Sequence, residues 1–103
     1  MSYDINVRRY CPDILDINYT FNVSPMFRLA LGKNGIKQLN DLGREECIEL
    51  LQDGIKDMEE NPETYNKLNP KNGWGNYEGA LDVLVKILDA LQSDEESYVC
   101  IEC

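Results

Sequence analysis

The chain contains no histidine. This absence excludes the Ser-His-Asp and Cys-His catalytic arrangements and every metal site that depends on an imidazole ligand. The sequence also offers no clear nucleophile with a base beside it and no pair of carboxylates set against an apolar pocket. We therefore expect a protein that is not an enzyme, with no catalytic residues and no cofactor.

Basic residues are scarce as well. Ten Lys and Arg stand against 19 Asp and Glu, which gives a formal net charge of −9. A protein that binds nucleic acid or an anionic membrane needs a basic face, so this balance argues against both kinds of partner. It favours a partner that is itself cationic.

Long apolar runs are missing too. No stretch of the sequence approaches about 18 apolar residues, and no apolar run follows a basic N-terminus. We expect a cytoplasmic protein whose four cysteines are free thiols. Cys100 and Cys103 are three residues apart on a predicted strand and therefore point to opposite faces, which argues against a metal site. A zinc site would need Cys11 and Cys47 in addition.

Alternating polar and apolar residues near the N-terminus predict a β-hairpin. The runs 3–10 and 14–23 lie on either side of a Cys-Pro-Asp turn, and each has a period of two. The second run places Asn18, Thr20 and Asn22 on one face, opposite its apolar residues. Asn is depleted in strands, so this face is either ordinary solvent-exposed surface or a set of specific hydrogen-bonding groups.

Helical signals fill the middle of the chain. Ser24 and the proline after it predict an N-cap and the first turn of a short helix that Gly32 ends. Apolar spacing predicts long helices over 44–60 and 76–92, with a short helix that starts at Pro62 between them. The apolar side chains expected to face the core from the last helix are Tyr77, Leu81, Leu84, Val85, Leu88 and Leu91.

The order of these elements predicts the fold class. Residues 98–103 form a closing strand, so the chain has two strands, several helices and one strand in a single domain over residues 1–103. We expect an α+β fold with a small antiparallel or mixed three-stranded sheet, made of the N-terminal hairpin and the C-terminal strand. Helices pack on one face of this sheet. The sequence does not indicate which edge of the sheet the last strand takes. An exposed edge at this strand could pair across a homodimer.

The stretch NPKNGWGNYEG, residues 69–79, supports two interpretations. The spacing of its glycines is one residue longer than in the dinucleotide-binding fingerprint, and they do not follow a predicted strand. In the structural interpretation Trp74 fills the core, Asn76 caps the last helix and Gly79 lets that helix approach the sheet. In the functional interpretation these side chains form an aromatic and amide pocket for a planar ligand. The candidate ligand-binding residues are Asn18, Thr20, Asn22, Trp74, Asn76 and Tyr77.

A line of carboxylates forms a second candidate site. Glu45, Glu49, Asp53 and Asp57 recur every fourth residue along the first long helix, about 6 Å apart. Such spacing is comparable to that of phosphates along a nucleic-acid strand, so the line could occupy a basic protein groove. The alternative is a solvated face of an acidic protein.

Two motifs together resemble a group of small proteins encoded by bacteriophages and prophages. The first motif falls on Asn18, Thr20, Asn22 and Met26, and the second on Asn72, Gly73, Trp74, Gly75 and Tyr77. The resemblance covers most of the chain. It implies an accessory protein in a bacterial host cell that acts by stoichiometric binding, with counter-defence as the expected role.

Two mechanisms from different classes follow, and a third possibility remains. The first is sequestration of a small nucleotide-like signal in the Asn/Trp/Tyr pocket. A phosphorylated guest would there meet Glu78, unless Arg8, Arg9, Arg28 or Lys71 lines the site. The second is an acidic mimic of nucleic acid that docks on a basic host defence protein, as anti-CRISPR inhibitors do. The third is a structural or assembly factor of the virion.

Overall fold

Three strands form an antiparallel sheet in the order β2-β1-β3, where β1 is Ser2–Arg8, β2 is Asp13–Thr20 and β3 is Tyr98–Glu102. The computed structural model describes residues 2–8, 13–20, 23–32, 35–71, 73, 75–93 and 97–102. Ile5 pairs with Ile17 on one side and with Ile101 on the other, so the chain's last strand lies beside its first. The terminal segments therefore meet in one sheet.

Five helical segments lie in the described part of the chain: α1 is Ser24–Leu31, a 3₁₀ helix spans Gly35–Asp41, α2 is Arg44–Glu60, α3 is Pro62–Asn66 and α4 is Tyr77–Ser93. α4 contacts all three strands, the 3₁₀ helix contacts β3, and α3 packs against α2 and α4. The described chain is compact and mostly helical, with a radius of gyration of 12.9 Å. About 13 Å is typical of a compact domain of this length. No helix in the described ranges is long and apolar enough to cross a membrane.

The start of α1 differs from the prediction. The predicted strand ran to residue 23, but Val23 is fully buried and occupies the N-cap position of α1, with no capping hydrogen bond from a side chain. Ser24, the predicted cap, is the first helical residue, and its hydroxyl lies 2.6 Å from the hydroxyl of Tyr3. The Ser24 hydroxyl contacts the sheet instead of capping the helix. Local capping preferences do not reveal such a contact. Gly32 ends the helix as expected.

The 3₁₀ helix covers the outer edge of β3. The Asn40 amide nitrogen donates to the Ile101 carbonyl at 2.8 Å, and the Ile101 N–H donates to the Asn40 side-chain oxygen at 2.6 Å. The carboxamide thus replaces a neighbouring strand at this position. At Ile101, the Asn40 side chain therefore already occupies the strand edge that was expected to be available for pairing across a homodimer.

α4 buries a somewhat different face from the one predicted. Its fully buried residues are Ala80, Val83, Leu84, Ile87, Ala90 and Leu91, whereas Tyr77, Leu81, Val85 and Leu88 are half-buried and flank the core. The helix has apolar residues around more than half of its circumference, so the large side chains alone did not identify the central face.

Candidate functional site

The junction before α4 is held by Asn76. Its side-chain oxygen accepts a hydrogen bond of 2.7 Å from the Gly79 N–H, and its carbonyl accepts one of 3.0 Å from the Ala80 N–H. These two bonds make Asn76 the N-cap of α4. Its own N–H donates to the Tyr19 hydroxyl of β2 at 3.3 Å. The Asn76 side chain therefore has a structural task at the point where helix and sheet meet.

Gly79 allows this close approach. A Cβ atom built at Gly79 would overlap the hydroxyl of Tyr19 and lie 2.8 Å from the ring carbon that bears it. Only a residue without a side chain fits between α4 and Tyr19. Gly73 and Gly75 adopt positive φ values of 78° and 90°, which glycine tolerates best, so the backbone turns sharply before the helix.

Tyr77 is likewise engaged inside the protein. Its hydroxyl donates to the Met58 carbonyl at 2.6 Å, and its N–H donates to the Asn69 side-chain oxygen at 2.8 Å. Its ring lies 6.1 Å from that of Tyr65, centroid to centroid. Burial, with Glu59 and Glu78 nearby, raises the pKa of Tyr77, which keeps its hydroxyl protonated as a donor.

The joint between α2 and α3 uses one of the predicted acidic residues. The hydroxyl of the fully buried Tyr65 donates to the carboxylate of Asp57, and the Asn61 amide donates to the same carboxylate at 3.1 Å. Burial raises the pKa of Tyr65, and the Asp57 hydrogen bond and charge raise it further. Asp57 is thus a structural acceptor in the core joint as much as a surface charge.

The predicted ligand-binding residues fall into two groups. Asn76 and Tyr77 are described and lie together at the junction, where their polar groups make internal hydrogen bonds. Asn22 and Trp74, and the side chains of Asn18 and Thr20, lie outside the part that the structure describes. The Asn/Trp/Tyr pocket stays a prediction.

The acidic residues of α2 are arranged less uniformly than their spacing suggested. Glu45 pairs with Arg44, whose Nη1 lies 2.6 Å from the carboxylate and whose Nε donates to the Leu91 carbonyl at the end of α4. Glu49 and Asp53 are exposed, and within the described chain neither has an ion-pair partner. The unneutralised part of the line is therefore Glu49 and Asp53.

A groove lies between α2 and α4, next to these carboxylates. It has a volume of about 380 Å³ and is lined by Gln52, Ile55, Lys56, Glu59, Glu60 and Leu88. Ile55 and Leu88 give it an apolar floor, and Glu59 and Glu60 stand exposed on α2. From the sequence, helical periodicity could have predicted that Ile55 lies near a surface. The position of Leu88 beside it could not be predicted, because it depends on how α2 and α4 pack against each other.

A second cavity, between α1 and the 3₁₀ helix, was not anticipated from the sequence. Its volume is about 430 Å³. Arg28 and Lys37 bring positive charge to its wall, and Tyr3 and Ser24 bring hydroxyl groups. Tyr3 of β1 is distant in sequence from the other lining residues, which come from α1 and the 3₁₀ helix, so no local motif marks the whole set.

Two of the four cysteines, Cys47 and Cys100, lie in the described part of the chain. Cys47 is buried and its Sγ lies 3.4 Å from the Leu39 carbonyl, while Cys100 is partly exposed, and both are free. Burial raises the pKa of Cys47 to about 11, and the charge of Glu46 adds to this effect. Within the described residues no three Cys, Asp or Glu side chains are grouped to hold a metal ion. Cys11 and Cys103 lie outside those residues.

Comparison of the chain with protein-family models, with curated proteins and with solved structures gives no match.

Proposed function

We propose that this chain is an α+β binding protein without catalytic activity, with helices on one face of a three-stranded sheet, and that the solvent face of α2 docks on a basic surface of a protein partner. The observation that carries the proposal is the pair of exposed carboxylates, Glu49 and Asp53, beside an apolar groove. The resemblance to bacteriophage-encoded proteins suggests a host defence protein as this partner, with a basic groove that otherwise holds nucleic acid.

Charge supports this orientation of the complex. α2 carries seven acidic and two basic residues, and Arg44 is engaged with α4 and Glu45. Like charges along one helix disfavour it by about 0.2–0.5 kcal/mol per pair. A basic partner would relieve this repulsion, so the arrangement contributes to association rather than to the stability of the free protein.

The groove adds apolar contacts to the charge interactions of α2. Exposed ion pairs contribute little affinity, because salt and water screen them. An apolar side chain, or the aliphatic part of a lysine or arginine, could enter the space between Ile55 and Leu88 while its basic neighbours meet Glu59 and Glu60. An apolar anchor with a charged rim is the usual composition of a specific interface.

The test uses two variants with the same change of net charge. Glu49→Gln/Asp53→Asn removes two carboxylates from α2, and Asp82→Asn/Asp89→Asn removes two from the solvent face of α4. The probe is a fluorescein-labelled oligolysine peptide with one central leucine, followed by fluorescence anisotropy. We expect the α2 variant to bind it about fivefold or more weakly and the α4 variant to bind like wild type. Equal weakening in both variants would show that only overall charge matters and would refute a specific face.

A second candidate function is sequestration of a small nucleotide-like ligand at the junction. The observation in its favour is open space beside Gly73, where an added Cβ would meet nothing within 4 Å. Native mass spectrometry of protein purified from bacterial cells tests it. An adduct that Trp74→Ala loses while its circular dichroism stays unchanged would support a ligand site, and an adduct-free wild-type mass would oppose it.

A further inference from the structure

The described wall of the cavity between α1 and the 3₁₀ helix differs in charge from the molecule as a whole. Of the seven lining residues that the structure describes, two are cationic and none is acidic, in a chain whose net charge is −9. Its volume of about 430 Å³ is within the range of about 300–1,000 Å³ that is usual for small-molecule sites. None of these seven residues lines the α2 groove.

We propose that this cavity binds a small phosphorylated molecule of nucleotide size, with the Arg28 guanidinium as the main phosphate ligand. Arg28 is exposed, and it forms no ion pair with another described residue. A guanidinium presents parallel N–H groups that match two phosphate oxygens. Lys37 adds a second positive charge to the wall of the same cavity.

The remaining wall suits the rest of such a molecule. The hydroxyls of Tyr3 and Ser24 lie 2.6 Å apart at the cavity wall, which places polar atoms at a fixed position. Tyr3 is anchored by its ring, which is buried and lies 5.9 Å from that of Phe27. Pro25, which is exposed, adds apolar surface against which a base or sugar can pack.

Gly35 lies in the cavity wall beside the arginine. Its φ is 64°, a value that glycine tolerates best. A Cβ atom there would lie 3.5 Å from Cγ of Arg28, which is an ordinary van der Waals contact. Gly35 thus brings the backbone of the 3₁₀ helix next to the stem of Arg28.

This site goes beyond the docking of α2, and no acidic residue is among its described lining, whereas Glu78 lies at the junction. A phosphorylated ligand needs a cation to offset the negative charge of the protein. Within the described residues Arg28 lines this cavity, whereas Glu78 stands in the first turn of α4 beside the junction.

Isothermal titration calorimetry with AMP, and with adenosine as the uncharged counterpart, tests the proposal. We expect AMP to bind at about 0.15 M salt and adenosine to give no measurable heat. Arg28→Gln should lower the affinity for AMP about tenfold or more. Lys67→Gln, which removes the same charge from an exposed position after α3, should leave it unchanged.

Three outcomes would overturn the assignment: no AMP binding by wild type, equal binding of adenosine, or equal losses in Arg28→Gln and Lys67→Gln. Lys37→Gln provides a second cavity variant and should also weaken binding. Both cavity variants should bind the oligolysine peptide like wild type, so a failure of this site is distinguishable from a failure of the α2 interface. Unchanged circular dichroism spectra and melting temperatures would show that the variants are folded.

Discussion

At the scale of single residues, the side chains of Asn69, Asn76 and Tyr77 connect elements at the start of α4. Asn76 caps α4 and also meets Tyr19 of β2, while Tyr77 ties α4 to the Met58 carbonyl of α2. Asn69 accepts the Tyr77 N–H. Each of these polar groups satisfies a backbone atom at the end of an element, where the regular ladder of hydrogen bonds stops.

Gly79→Ala should destabilise the fold even though alanine favours a helix over glycine. The propensity gain is up to about 1 kcal/mol, whereas forcing Tyr19 away from α4 costs about 1–3 kcal/mol. We expect a net loss in the free energy of unfolding, measured by urea denaturation.

A double-mutant cycle with Tyr19→Phe identifies the cause. Removing the hydroxyl relieves part of the overlap, so Gly79→Ala should cost less in the Tyr19→Phe background than in wild type. Strictly additive losses would contradict a direct conflict between position 79 and Tyr19.

Cys47 should resist alkylation in the native state. Its side chain is 1 % exposed and its Sγ–H donates to the Leu39 carbonyl. Iodoacetamide near pH 8, followed by peptide mapping, should modify Cys100 and leave Cys47 intact. Comparable modification of the two thiols would contradict the buried position of Cys47.

The same thiol predicts a loss of stability at alkaline pH. The folded pKa of about 11 is above the ordinary thiol value of 9.0, so the unfolded chain releases this proton first as the pH rises. Stability should therefore be fully present below pH 9 and decline towards pH 11. Cys47→Ala should lose less stability than wild type across this interval in urea titrations, and an identical decline would assign the effect to other groups.

At the scale of elements, the 3₁₀ helix protects the sheet. Edge strands expose unpaired N–H and C=O groups that invite association with other chains. The Asn40 carboxamide satisfies both groups of Ile101 and so closes part of the β3 edge.

Asn40→Ala should lower the free energy of unfolding by about 1–2 kcal/mol, since Ile101 loses two hydrogen bonds at a buried position. Asn66→Ala is the matched control. Its amide nitrogen donates to the Pro62 carbonyl and its side-chain oxygen accepts from the Asn69 amide, but both bonds are exposed and should contribute about 0.5 kcal/mol or less. Faster amide exchange at Ile101 would accompany the loss in Asn40→Ala. Equal stability losses in the two variants would show that Asn40 has no special role at the edge.

The long helices could be predicted from the sequence, because their apolar spacing repeats over many residues and Pro62 marks where α2 must end. Contacts between residues that are distant in sequence could not be predicted. Ser24 looks like a helix cap, yet it contacts Tyr3, 21 positions away, and Asn40 contacts Ile101, 61 positions away. The cavity around Arg28 also depends on contacts of this kind, because β1, α1 and the 3₁₀ helix each contribute to it. Such sites depend on packing rather than on a local pattern.

At the scale of the whole molecule, charge is distributed unevenly. α2 presents Glu49 and Asp53 without an ion-pair partner among the described residues, while the described lining of the cavity beside α1 has two cations and no acid. In the proposed interaction, the net charge of −9 attracts a basic partner at long range, and the groove beside Ile55 and Leu88 provides short-range contacts. The proposed interaction should therefore weaken as salt is raised.

The most direct measurement of the central proposal is a ¹H–¹⁵N NMR titration of the protein with the leucine-containing oligolysine peptide. Docking on α2 predicts that the largest amide shifts cluster at Glu49, Asp53 and Lys56 and extend to Leu88 across the groove. Shifts that are spread evenly over the acidic surface, or that centre on Asn76 and Tyr77, would contradict a binding face on α2.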